Sequence, residues 1–301
     1  MCTTEIYNYD GLSIAVVVEC EYNIQGVIPV RKLQYTFKTD TLFKMLFVQN
    51  QDLLRKFVAV LLRIPLESIQ EFVVRNPEIA PEMLGEKFCR LDINMIVNNQ
   101  RIDLEIQVAN EGDYPERVMY YWAREFSSSL AAGQSYSTLP RTIVISIIDF
   151  NLFSCAEFYS FFQPLEATRH TLLSDKMGFQ FFELTKLPDD IDEKDSLLLW
   201  LSLFKANTEE ELEKIRAMEV PEMEQAINAY YTITASPKFQ EIERLRAKAR
   251  HDEAQALYHA KQEGKIEIAR NLLKMGMSLD QITQATGLTL EELEKYKGAP
   301  A

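Results

Sequence analysis

A chain of 301 residues with 47% hydrophobic side chains carries enough apolar material to fill the core of one large or two modest domains. Its formal net charge of −13 argues against a protein that coats nucleic acid through a general basic field. No apolar run reaches about 18 residues, and the short apolar patch Leu12 to Val18 follows Glu5 and Asp10 rather than basic residues. The expectation is therefore no membrane span and no signal peptide.

Residues 1–34 hold one plausible strand, Leu12 to Cys20, and read as an N-terminal extension. From the N-cap candidate Thr39, the run Asp40-Thr-Leu-Phe-Lys-Met-Leu-Phe opens an amphipathic helix. A second apolar run, Leu53 to Leu62, is stopped by Ile64-Pro65. Asp40 and Lys44 are four apart and so share a helix face. They fit an ordinary surface ion pair worth a few tenths of a kcal/mol, or a helix that sets a supporting carboxylate beside a site. Ile69 to Val74 reads as a strand, and Asn76-Pro77 to Gly85 as a loop.

The stretch Phe88 to Val108 carries the strongest local pattern. Leu91, Ile93 and Met95 alternate with Arg90, Asp92 and Asn94; after Asn98-Asn99, Ile102, Leu104, Ile106 and Val108 alternate with Asp103, Glu105 and Gln107. Period two predicts a strand on each side. Asn tolerates the positive φ of a type I′ turn, which pairs Val97 with Gln100. Counting back places Asn94 opposite Asp103, Asp92 opposite Glu105 and Arg90 opposite Gln107. Cross-strand partners have Cβ atoms about 5 Å apart, and two carboxylates at that separation repel by about 3 kcal/mol at an effective dielectric near 20. A divalent cation would relieve that repulsion; a half-exposed hairpin with a wet polar face would merely screen it. Two carboxylates and a backbone carbonyl are hard oxygen ligands of the kind Mg²⁺ takes.

Beyond the hairpin, Tyr114-Pro115-Glu116 starts a long helix that Gly133 is expected to end. Arg117, Tyr120, Tyr121 and Arg124 fall near one face of it, suited either to a phosphodiester backbone or, for the rings, to packing on a sheet. Arg141 to Phe150 is nearly all β-branched and apolar, as in a central strand covered on both faces. Thr168 to Leu173 and Phe179 to Leu187 read as two more strands, with Asp149 and Glu157 lacking any partner pattern. Helix, strand, hairpin, helix, strand in this order gives an α/β fold, a mixed sheet flanked by helices.

From Asp195 the pattern turns helical: Ser196 to Lys205, Glu209 to Met218, Glu222 to Thr232, then the charged segment Lys238 to Glu263. Three short helices follow, Ala269 to Met275, Ser278 to Thr286 and Thr289 to Tyr296, joined by Gly276 and Gly287, with Gly264 as a further break. In the charged segment the thin apolar stripe of Ile242, Leu245, Ala249, Ala256 and Leu257 suits a neighbouring chain better than a core. This predicts a homo-oligomer, most simply a dimer. Cys2, Cys20, Cys89 and Cys155 have no paired spacing, and His170, His251 and His259 form no ligand motif with them, so zinc is not expected and a cytoplasmic location is.

The arrangement RLDINMIVNNQRIDLEIQ, followed by ERVMYYWAREF and TIVISIIDF, resembles the Rpn recombination-promoting nucleases and the PD-(D/E)XK family transposases, over roughly Tyr35 to Phe150 and again in the tail. The D-x-x-F-K pattern of that family's opening helix is Asp40, Phe43 and Lys44. The resemblance implies a restriction-endonuclease-like core over residues 35–190, a helical region over 191–262 and a helix-turn-helix-like tail over 263–301. It implies a Mg²⁺-dependent DNA endonuclease (Mn²⁺ or Ca²⁺ being alternatives) linked to recombination or mobile elements. Asp92 and Glu105 match its metal-binding acids, with the Ile106 carbonyl as a third ligand, and Gln107 stands where the wider superfamily has Lys. Leu91 replaces the motif's Pro.

A neutral amide orients water but does not stabilise developing charge, so Arg90, across the hairpin, is the first candidate to replace the missing cation. Lys44, Arg117, Tyr121 and Arg124 are candidate DNA contacts, and Asp40 a supporting carboxylate. The absent Lys also fits a different class: a DNA-binding or assembly protein of mobile-element origin whose catalysis has decayed. In the tail, Glu291, Glu292 and Glu294 would repel phosphates, so self-association or packing suits that helix better than DNA reading.

Overall fold

The computed structural model describes residues 30–75 and 93–295, together with the backbone of two N-terminal strands, β1 (Thr4–Tyr9) and β2 (Leu12–Val17), which pair antiparallel. The expected loop from Asn76 to Gly85, Arg90 and Asp92, and three of the four cysteines lie outside the described residues. Two compact units are present, Met1–Phe239 and Gln240–Ala301.

In the first unit α1 (Asp40–Gln49) and α2 (Gln51–Leu62) precede a six-stranded sheet. Its strands are β3 (Phe72–Val74), β4 (Ile93–Val97), β5 (Gln100–Gln107), β6 (Thr142–Ile148), β7 (Tyr159–Phe162) and β8 (Met177–Glu183), in the spatial order β3-β4-β5-β6-β8-β7. Strands β3, β4 and β5 run antiparallel, β5, β6 and β8 parallel, and β7 antiparallel to β8. Every residue of β6 is buried, as its unbroken β-branched run requires of a strand covered on both faces.

The hairpin forms in the register the Asn-Asn turn predicts, Val97 with Gln100 and Asn94 with Asp103. Asn98 and Asn99 take φ of 47° and 61°, the left-handed pair that a type I′ turn needs. Asn98 also clamps the chain before β3: its Oδ1 accepts from the Gln70 and Glu71 N–H groups and its Nδ2 donates to the Ser68 carbonyl.

Alternation divides the sheet into two chemical faces. Ile93, Met95 and Val97 of β4, Ile102 and Leu104 of β5, and Ile143, Ile145 and Ile147 of β6 join the main core. That core is shared with α1, α2, α4 (Ser196–Lys205), α5 (Glu209–Arg216) and α6 (Pro221–Thr234). On the other face Val144, Ile148, Phe179 and Phe181 pack against Tyr114, Val118 and Trp122 of α3 (Tyr114–Ser127). Asp103 and Glu105 fall on this second face.

Several expectations are corrected. Helix α3 ends at Ser127, and Gly133 belongs to a later turn with φ of 85°. Thr168 to Leu173 is no strand: His170 has φ of 56°, its N–H bonds the Glu166 carbonyl, and one bridge, Leu165 to Leu172, is all the pairing it makes. The outer strand is instead β7, whose Tyr-Ser-Phe-Phe lacks a clean alternation. Phe179 to Leu187 is a strand only as far as Glu183, within β8. In the last third, α7 (Pro237–Lys274) is a single helix; Gly264 costs about 1 kcal/mol against Ala, too little to break it between strong helix formers, so Ala269 to Met275 is its final turns.

The second unit closes on its own small core of Ala269, Ile282, Leu288 and Leu293. Capping boxes at Ser278 and Thr289 start α8 (Leu279–Thr286) and α9 (Leu290–Glu294), and Gly287 ends α8 at φ of 68°. Asn98→Ala removes three hydrogen bonds and the residue that tolerates left-handed backbone, and is expected to destabilise the first unit by about 3 kcal/mol. Asn99→Gly is expected to be neutral or stabilising, and urea unfolding of the two variants separates the clamp from the turn.

Candidate active site

Strand β5 carries Glu105 one residue before its apolar Ile106 and two before its end at Gln107. Alternation puts Asp103, Glu105 and Gln107 on the face covered by α3. The Gln107 carbonyl accepts from the Asp149 N–H and the Arg101 N–H donates to the Arg141 carbonyl, so odd-numbered residues of β5 turn their backbone groups towards β6. The Ile106 carbonyl therefore turns to the opposite side, towards β4, beyond the last described pair Ile93–Leu104.

The polar face is not wet. Asp103 is 4% and Glu105 6% exposed, so the half-exposed hairpin is excluded for this stretch: two carboxylates, two residues apart on one strand, are enclosed. Burying a charge is costly unless it is paired and hydrogen-bonded. One partner is Tyr114, the first residue of α3, whose hydroxyl donates to Glu105 Oε2 at 3.3 Å. Burial, and then the Glu105 carboxylate beside it, push the Tyr114 phenol well above its ordinary pKa and keep it protonated. Ser146 of β6 lies beside Glu105 in the parallel register.

Arg117 stands over the Tyr114 ring at 4.9 Å and pairs with Glu111 at 3.0 Å. Arg124 is exposed, 6.0 Å from the Tyr120 ring. Tyr121 is half-buried, whereas Tyr120 is 59% exposed, so the expectation that these rings go inward holds for neither in full. Gln107 Nε2 donates to the Ala109 carbonyl at 2.9 Å, which leaves its amide oxygen as the end available to water.

Two further candidates, Asp40 and Lys44, are on α1. That helix packs on the apolar face of the sheet, opposite the side chains of Asp103 and Glu105. Asp40 is half-buried at its first residue, and Lys44 is only 5% exposed. Lys44 is thus enclosed rather than on the surface. Arg90 and Asp92 lie outside the described residues, and among the described residues no three His, Cys, Asp or Glu side chains form a group able to hold a metal ion.

Two features were not legible in the sequence. Tyr114 reads there only as a helix start, nine residues from Glu105. Asp149, which lacked any partner pattern, is held by Lys38 at 2.7 Å, and Lys38 Nζ also donates to Asn207 Oδ1 at 3.0 Å. This pair anchors the strand ends where Asp149 meets the Gln107 carbonyl.

The chain matches a family model described as PD-(D/E)XK nuclease family transposase over residues 37–260. It belongs to that family. Residues 262–298 match the C-terminal HTH domain of the Rpn/YhgA-like nuclease family, so the nuclease-type sheet and the capped helices of the tail are both covered. No curated protein and no solved structure gives a significant match. No described helix is long and apolar enough to cross a membrane.

Lys38→Met would strand the Asp149 carboxylate. Because Asp149 keeps some solvent contact, the loss is expected at about 2 kcal/mol, below the 3–5 kcal/mol of a wholly buried pair. The double variant Lys38→Met/Asp149→Leu should recover most of it in urea unfolding.

Proposed function

We propose that this protein is a divalent-cation-dependent DNA endonuclease of the Rpn type, acting in recombination or on mobile elements. The observation that carries the reading is Glu105: an acid at the end of an apolar strand, enclosed on the α3 face beside Asp103 and held by a phenol. Such an arrangement supplies hard oxygen donors, which fits Mg²⁺, or Mn²⁺ or Ca²⁺ in its place. Asp92 and Glu105, with the Ile106 carbonyl, would hold the ion. When bound, it lowers the pKa of an attacking water and neutralises charge on the phosphate. The amide oxygen of Gln107 accepts a hydrogen bond from water and orients it. Arg124 extends from α3 as a cation for the DNA backbone, with Arg117, laid over Tyr114 and paired with Glu111, as a second, and Arg90 is the candidate for the stabilising role of the missing Lys.

The HTH-type tail supports DNA as the partner, although its last helix presents Glu291, Glu292 and Glu294. A second reading, a DNA-binding or assembly protein with decayed catalysis, is favoured by one observation: Gln107 stands in place of Lys and turns one of its two amide N–H donors to the Ala109 carbonyl. Purified protein should nick plasmid with Mg²⁺ or Mn²⁺ and lose at least about 100-fold of that rate on Asp92→Ala or Glu105→Ala. Cleavage that persists in either variant would rule out the site; DNA binding without cation-dependent cleavage would establish the second reading.

A metal site on each chain cuts one strand, so we propose that two copies pair through α7. Leu245, Leu257, Tyr258 and Ile268 are all at least half exposed on that helix, as a chain awaiting a partner would leave them. Light scattering should report a dimer, and Leu245→Glu/Leu257→Glu a monomer. A wild-type monomer would remove α7 as an assembly device.

A further inference from the structure

We propose that Tyr114 is the positioning residue for Glu105, fixing the carboxylate for a divalent cation; this rests on the nuclease reading above. Tyr114 is 1% exposed and sits in an aromatic cluster, edge-on to Phe150 and Phe181 with centroids at 5.8 and 6.3 Å. A phenylalanine would fill that space equally well, so packing gives no reason for a hydroxyl. Its hydroxyl donates to Glu105 Oε2 at 3.3 Å, with the Ser146 hydroxyl beside the same phenol.

The ring has little freedom to take that hydroxyl elsewhere. Tyr114 is the first residue of α3, Pro115 follows it and fixes the local backbone, and the Arg117 guanidinium covers one ring face while pairing with Glu111. Helix start, proline and cation together hold the phenol as a fixed donor. One lone pair of Oε2 is thereby committed and the carboxylate plane is set. Groups that orient a metal-binding side chain in this way typically change metal affinity about 10–100-fold when removed.

The test is a Mn²⁺ titration followed by electron paramagnetic resonance and calorimetry, on full-length wild type, Tyr114→Phe and Glu105→Gln. Tyr114→Phe should bind Mn²⁺ about 10–100-fold more weakly with its DNA affinity unchanged, a split that a merely loosened fold would not give. Glu105→Gln should lose the site. If Tyr114→Phe binds Mn²⁺ as wild type does while Glu105→Gln does not, the positioning role is wrong and the nuclease reading stands. If Glu105→Gln binds as wild type does, both fall. Should Tyr114→Phe fail to fold, 3-fluorotyrosine placed at position 114 alone leaves the contacts intact: its fluorine line should broaden in step with Mn²⁺ occupancy, and a line indifferent to Mn²⁺ overturns the proposal.

Discussion

The Asn98-Asn99 turn fixes which side of the sheet is chemical. A strand repeats every two residues, so a slip of one in the β4–β5 register would carry Asp103 and Glu105 into the main core and Ile102 and Leu104 onto the α3 face. The positive φ values of both asparagines allow a two-residue loop, and the three bonds of the Asn98 side chain tie that loop to the entry of β3. The parallel pairing of β5 with β6 then inherits the choice, since the Gln107 carbonyl and the Asp149 N–H meet in the same register. Helix α3 completes it by closing over the acids from the other side.

With the register set, the two faces do different work. The apolar face joins the sheet to the five helices of the main core, whose stacked Phe47, Phe57, Trp200 and Phe204 rings need no polar partner. The α3 face mixes aromatic rings with two buried carboxylates. Its polar members are served by Tyr114, and by Trp122 donating to the Thr142 carbonyl at 3.0 Å. The two buried acids of β5 thus share the layer where a helix brings both hydroxyl and guanidinium groups.

What could be read from sequence was what short-range periodicity encodes. The hairpin, its turn and the buried run of β6 follow from alternation, from asparagine's tolerance of positive φ, and from a run in which only Thr142 and Ser146 are polar. Strand β7 was hidden because Tyr159 to Phe162 is short and mostly aromatic, while Thr168 to Leu173 carried the β-branched and apolar residues of a strand but was spent on a turn at His170. Gly264 looked like a break because glycine's cost is local, whereas a helix such as α7 is decided over its whole length. At the candidate site Glu105 was legible from its strand, but its burial was not: that depends on where α3 lands, and Tyr114 meets it across a loop that no period spans. The burial of Lys44 was hidden for a related reason, since a charged residue at helical spacing says nothing about what packs over it.

The enclosure of Asp103 and Glu105 has an evolutionary consequence. A carboxylate held in an enclosed layer is costly unless it is paired, and replacing it together with its partners by apolar residues of similar size tends to leave a protein as stable or more so. A copy of this gene that lost its acids and their partners together would therefore not be removed by misfolding; it would persist as a well-folded relative. Retention of Glu105 in relatives whose residue at position 114 is no longer tyrosine would then record selection on the acid itself rather than on its hydrogen bond.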